Sequence, residues 1–263
     1  MTTAPTVPLR PRPAYGASAW AILQLTLPRT FTAPVLAAML LLLLMPMGFG
    51  VVFAAGGFLA GDPTAFLVQR YDQLVSALAT PILALLLGTS AFSAEADDGT
   101  LIYLLTTPTP RWWIVTVRML FAMTGTALLS LLTVYGTGYL VTGLYDPLQV
   151  TRAFGVAAAF GGAAYAALFT WLALRTRRAL VSGLVYIVFW EGILSSTFPA
   201  LHYLSVRQWM RAVASALTLA QDQRLTDGPS LRAALIGAAI VIVSTVIFGS
   251  RALARPRLTR TAS

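Results

Sequence analysis

The sequence predicts an all-α integral membrane protein with six transmembrane helices. Hydrophobic residues make up 57% of the chain, charged residues make up 10%, and the mean hydropathy is +0.77, which is far more apolar than a soluble domain of this length. The apolar residues lie in continuous runs of about 20, the length that a helix needs to cross the hydrocarbon core of a bilayer. Because these runs lack strict alternation of apolar and polar residues, they indicate helices rather than the strands of a barrel.

The apolar runs also predict the order of the elements. Residues 1–32 are expected to form a cytoplasmic tail and an interfacial helix, in which Trp20, Leu23 and Leu27 recur at helical spacing before a break at Pro28. Residues 33–254 are expected to form the transmembrane domain, and residues 255–263 a cytoplasmic C-terminal tail. The predicted spans cover approximately residues 33–56, 74–92, 113–141, 154–174, 179–198 and 233–252.

Arginine residues indicate how the chain is oriented. All 18 basic residues are arginines, and the predicted loops place twelve of them on one side of the membrane and six on the other. The positive-inside rule then puts both termini and the loop between the second and third spans in the cytoplasm. We therefore expect a multi-pass protein of the cell inner (cytoplasmic) membrane. The net charge of +9 reflects this topology and attraction to anionic lipids, and we expect no nucleic-acid partner.

The loop between the second and third spans has an unusual composition. It begins with an acidic cluster and a turn-forming Gly-Thr pair, and a face of leucines bounded by prolines follows. A short helix across the cytoplasmic ends of two spans is predicted, and an ordinary solvated turn is the alternative. The residues that define the segment are Glu95, Asp97, Asp98, Gly99, Thr100, Leu101, Leu104, Leu105, Pro108 and Arg111.

This pattern resembles the cytoplasmic loop of type 2 ABC-transporter permeases, whose six-span subunits carry an E...GTL..LL..P..R signature between their second and third helices. The match also includes Ile114 and Arg118. The resemblance implies that residues 95–111 form a coupling helix that contacts a separate nucleotide-binding ATPase subunit. It further implies an exporter in which two permease subunits, identical or different, form the translocation pathway as a dimer, while ATP and Mg are bound by the partner ATPase.

The composition excludes several enzymes. The chain has no lysine, so it lacks the P-loop residue that reaches the phosphates of ATP, and its single histidine, His202, cannot form an HExxH zinc site. We therefore expect no catalytic residue, resident cofactor or metal in this chain. Two other classes stay open: an ion-coupled secondary transporter that uses Glu191, and a non-transporting membrane assembly factor.

Glu191 is the acidic residue predicted to lie well inside a span. An ionised group at the centre of a membrane helix costs roughly 2.5 to 3.5 kcal/mol on insertion scales, so we expect its side chain to face the protein interior or a watery cavity. A structural hydrogen bond near the outer mouth, contact with substrate and proton coupling are the three roles considered. Glu191 is thus the candidate for the pathway or its gate.

Two packing features complete the predictions. Small residues in the fourth span, at Ala157-x-x-x-Gly161 and Gly162-x-x-x-Ala166, allow close helix approach within the subunit or between subunits. In the external segment before the sixth span, a capping box at Ser205 and Gln208 is expected to begin an amphipathic helix over residues 205–219. This helix either closes the outer mouth of the pathway, as the short external helices of similar permeases do, or rests on the outer lipid surface.

Overall fold

The computed structural model describes residues 15–56, 61–97, 110–143, 145–146, 148–176, 178–219 and 228–254. Within these ranges the chain forms helices and no strand, which confirms the predicted all-α class. The helices are α1 Tyr15–Thr30, α2 Ala33–Gly56, α3 Pro63–Arg70, α4 Thr80–Asp97, α5 Arg111–Thr142, α6 Val150–Arg175, α7 Ala179–Val185, α8 Ser195–Thr197, α9 Val206–Leu217 and α10 Leu231–Ala254. Two π-helical segments, Tyr71–Ala79 and Tyr186–Leu194, join α3 to α4 and α7 to α8, and a 3₁₀-helix covers Pro199–Leu204.

Five helices in the described part of the chain are long and apolar enough to cross a membrane. They cover Ala33–Gly56, Pro63–Ser90, Arg111–Thr142, Val150–Arg175 and Leu231–Ala252. The remaining predicted span corresponds to a shorter apolar helix, Ala179–Leu194. The protein is therefore a helical bundle with multi-pass membrane character.

The second span begins earlier than the sequence indicates. We predicted a start near residue 74, whereas the helix begins at Pro63, where the Asp62 carboxylate accepts hydrogen bonds from the backbone N–H groups of Thr64 and Ala65 at 3.0 and 3.4 Å. The hydropathy pattern placed the start of this span after Asp72, because an acidic residue is costly in a membrane helix. In the folded protein this charge is compensated by arginines from a distant part of the chain, so the helix continues through it.

Helix α6 is the centre of the bundle and packs against α4, α5, α9 and α10. Its small residues make this possible: a Cβ added at Gly161 would collide with Met210 of α9, and one added at Gly162 would lie 2.9 Å from the Thr126 methyl group of α5. These small residues thus allow close helix approach within the subunit, which is one of the two predicted alternatives. Asp146 caps α6, since its carboxylate accepts hydrogen bonds from Val150 and Thr151 N–H, both at 2.9 Å.

The opposite end of the bundle from α9 holds α1. Ile22 of α1 is buried in an apolar cluster with the start of α5 and the end of α6, whereas Trp20 is 61% exposed. The expected break at Pro28 does not occur, because α1 continues to Thr30 before α2 begins at Ala33. A proline near the end of a helix removes few backbone hydrogen bonds, which explains why it is tolerated here.

Candidate functional site

The predicted ATPase contact lies mostly outside the described residues. Positions 98–109, which include Asp98, Gly99, Thr100, Leu101, Leu104, Leu105 and Pro108, are not described. Glu95 and Asp97 lie in the last turn of α4, and Arg111 is the exposed first residue of α5. Helix α4 therefore ends, and α5 begins, at the end of the bundle opposite α9. Pro110 comes directly before α5, at its N-cap position.

A cluster of hydrogen-bonded polar side chains lies at the other end of the bundle, around α9. This helix begins at Ser205, whose hydroxyl accepts a hydrogen bond from Gln208 N–H at 3.2 Å, so half of the predicted capping box is confirmed. The reciprocal half is wrong: the Ser205 N–H is bonded to the carbonyl of His202 at 3.4 Å, and the buried Gln208 Oε1 has no hydrogen-bond partner among the described residues. The cap fixes the start of α9 beside the fifth predicted span.

The amphipathic character of α9 is confirmed, but its apolar face is not free. Val206, Trp209, Met210 and Val213 are buried within the protein, mainly against α6. A helix that rests on lipid would instead leave this face for the acyl chains. The structure therefore contradicts the lipid-surface alternative, and α9 is an integral part of the bundle.

Asp72 anchors the arginine face of α9. Its carboxylate accepts two hydrogen bonds from Arg211, from Nε to Oδ1 and from Nη2 to Oδ2, both at 2.7 Å. Arg207 adds a contact from Nη2 to Oδ2 at 3.1 Å. Asp72 is 5% exposed, and the two guanidinium side chains are about a fifth exposed at 18% and 20%. The bidentate Arg211 contact is the stronger of the two, because its fork matches the geometry of the carboxylate.

Glu191 anchors the N-terminus of the same helix. Its carboxylate accepts a hydrogen bond from the Ser205 hydroxyl, one from Val206 N–H at 3.0 Å, and one from the Tyr186 hydroxyl at 3.3 Å. The residue is 4% exposed and lies where the exposed N–H groups and the dipole of α9 favour a negative charge. The expectation that this acidic side chain faces the protein interior is confirmed.

Asp72 and Glu191 therefore act on one helix from two spans, and we call them the carboxylate anchors. Both lie in π-helical segments, Tyr71–Ala79 and Tyr186–Leu194. Such segments are rare and are often found at functional sites. Val206, whose N–H binds Glu191, and Arg207, which binds Asp72, are consecutive residues of α9, so the two anchors belong to one polar cluster.

The sequence reading missed Asp72, because this residue was assigned to the loop before the second span. One signal could have found it. Arg207 and Arg211 are four residues apart and so lie on one face of α9, and a helix with its opposite face packed on the bundle needs an acidic partner near this pair. An aspartate next to a predicted span is the natural candidate.

The chemistry of this cluster is that of a structural contact. Among the described residues no group of three or more His, Cys, Asp or Glu side chains could hold a metal ion. The Ser205 hydroxyl donates a hydrogen bond to Glu191 and accepts one from Gln208 N–H, which is a capping geometry.

A scan against protein-family models finds no match for the chain, and no curated protein matches its sequence.

Proposed function

We propose that this chain is the membrane-spanning permease subunit of an ATP-binding-cassette exporter, driven by separate ATPase subunits through residues 95–111. It forms the translocation pathway as a dimer with itself or with a second permease subunit. In this proposal the helix over residues 179–197 is the sixth span, both termini are cytoplasmic, and the protein resides in the inner membrane. The loop motif and the multi-pass helical bundle support the proposal.

One structural observation carries most weight. Helix α3, the first π-helical segment and α4 follow each other without a break from Pro63 to Asp97. This continuous helical segment contacts α9 through Asp72 near one end. At its other end it leads into the loop that resembles a coupling helix. A displacement of that loop by an ATPase would therefore move the segment that holds α9. A coupled exporter needs such a connection between its ATPase contact and its outer end.

The contacts of Glu191 argue against the ion-coupled alternative. Both carboxylate oxygens accept hydrogen bonds, and the residue is almost fully buried. A group that takes up and releases protons during transport needs access to water in at least one state. The hydrogen bonds instead support a structural role at the outer mouth, where α9 closes the bundle.

The test uses the absence of lysine. Because the chain has no P-loop lysine, any P-loop ATPase activity that accompanies it must come from a partner. When a tagged copy is purified from the membranes of the cells that naturally produce it, a second polypeptide with ATPase activity is expected to co-purify. Replacing Leu104 and Leu105 together by Ser should reduce this recovery more than tenfold, since loss of apolar hot-spot contacts costs about 2 kcal/mol or more.

The matched control removes two leucines from the predicted cytoplasmic tails, Leu9→Ser with Leu258→Ser. This variant should retain the ATPase partner at the parent level. Equal recovery of ATPase activity with the Leu104/Leu105 variant and the parent would refute the coupling role. Purification of the parent without any ATPase would refute the proposed function itself.

A further inference from the structure

An open apolar groove of about 530 Å³ lies between the second π-helical segment and α10. Aromatic side chains form one wall and its floor, and isoleucines of α10 form the other wall. The Nε1–H groups of Trp190 and Trp209 are bonded to the carbonyls of Leu204 and Tyr203 at 3.4 and 2.9 Å. Because these polar atoms are already engaged, the groove presents almost only apolar surface to a ligand.

The groove exists because α10 packs mainly against α6, α9 and α5 and not against the neighbouring π-helical segment. Gly237 sets its depth. A Cβ at this position would come within 2.5 Å of the Trp209 ring, so glycine allows the indole to pack directly against α10 as the floor. The walls and floor are thus built by close packing, which makes the groove a fixed feature of the fold.

A charged residue stands at one end of the groove. Arg232, Ile236 and Ile240 are spaced four residues apart on α10 and therefore lie in one row along its surface. Ile236 and Ile240 are 60% and 63% exposed and line the groove, and Arg232 is exposed one turn above them. Arg232 and Ile240 are about 12 Å apart along the helix axis, and this arrangement of a cation followed by apolar side chains matches the phosphate and the acyl chain of a phospholipid.

We propose that this groove binds one acyl chain of a membrane phospholipid, whose phosphate is held by Arg232. Helix α10 is a candidate membrane span, so its exposed face meets lipid. The proposal depends on α10 crossing the membrane and not on the assignment to ABC exporters.

The experiment uses the full chain in nanodiscs that contain phosphatidylglycerol with a diazirine in one acyl chain. After illumination and digestion, the peptide that carries Trp209 is expected to be labelled. Ile240→Trp should fill the groove and lower this labelling at least fivefold. Leu235→Trp is the matched control, since Leu235 is 50% exposed on the same helix but does not line the groove, and it should leave the labelling unchanged.

The headgroup is tested separately. Arg232→Gln should at least halve the phospholipid retained per chain in native mass spectrometry, whereas Arg251→Gln at the other end of α10 should not. A photoactivatable diacylglycerol, which has the chains without the phosphate, should label the parent more weakly.

The proposal would be overturned by an unlabelled Trp209 peptide in the parent, by equal labelling in the two Trp variants, or by equal lipid retention in the two Gln variants. A disulfide between two copies of an Ile240→Cys variant would show that a second copy covers the groove, and would also overturn it. Size-exclusion profiles and melting temperatures check that each variant is folded.

Discussion

Removing the charge of Asp72 should destabilise the bundle, because two partly buried arginines then lose their partner. Loss of one member of a buried ion pair typically costs about 3 to 5 kcal/mol. Arg207 and Arg211 keep 18% and 20% of their side-chain surface exposed, so water relieves part of this cost, and we expect a loss of about 2 to 3 kcal/mol for Asp72→Asn.

The geometry also predicts how the cost divides between the arginines. Arg211 makes two contacts to the Asp72 carboxylate at 2.7 Å, while Arg207 makes one at 3.1 Å. In double-mutant cycles we expect a coupling free energy of about 2 kcal/mol for Asp72 with Arg211, and about 1 kcal/mol for Asp72 with Arg207. The double variant Asp72→Asn/Arg211→Gln should therefore be more stable than the sum of its single changes predicts.

The assay is equilibrium unfolding in mixed micelles with increasing sodium dodecyl sulfate, followed by tryptophan fluorescence. Asp146→Asn is the matched control, because Asp146 accepts hydrogen bonds from backbone N–H groups and makes no described ion pair with arginine, and the amide oxygen of Asn can keep one of these two bonds. It should change the free energy of unfolding by less than about 1 kcal/mol. A coupling energy near zero between Asp72 and Arg211 would refute the anchor assigned to this pair.

Three further predictions concern other parts of the fold. Glu191→Leu leaves the Ser205 hydroxyl and the Val206 N–H without their acceptor and should cost about 2 to 3 kcal/mol in the same assay, whereas Glu191→Gln should cost about half as much; equal effects would contradict the hydrogen-bonding role. Gly161→Ala forces a collision with α9 and should cost about 1 to 3 kcal/mol, while Gly48→Ala, which has open space, should not destabilise; similar melting temperatures would contradict the close packing. In intact cells, Thr176→Cys should resist an impermeant thiol reagent, and labelling from outside would reverse the proposed topology.

The helices could be predicted from sequence because their signals are local. Apolar runs of sufficient length mark the candidate spans, and Ser205 followed by Gln208 marks the start of α9. The small residues around Gly161 indicated close packing, although the sequence did not say which helix would approach. That partner is Met210, and its position depends on how the whole of α9 packs.

The carboxylate anchors show what local signals leave out. Glu191 was noticed because it interrupts an apolar run, but nothing near it in sequence says that the Ser205 hydroxyl is its partner. Asp72 was placed outside the membrane because hydropathy treats each charge as unpaired. Its arginines lie 135 and 139 residues further along the chain, so only the tertiary structure reveals that its charge is compensated.

That separation has a consequence for how the protein is made. Synthesis proceeds at roughly 5 to 20 residues per second, so Asp72 is made at least several seconds before Arg207 and Arg211. During that time the candidate second span carries an acidic residue without its counter-ion. During this interval the nascent bundle is incomplete at one edge, and a chain that terminates before α9 stays in that state. Synthesis of α9 supplies both missing partners at once, the arginines for Asp72 and the capping serine for Glu191. Completion of the bundle is therefore tied to the last fifth of the chain, which carries the partners of both carboxylate anchors.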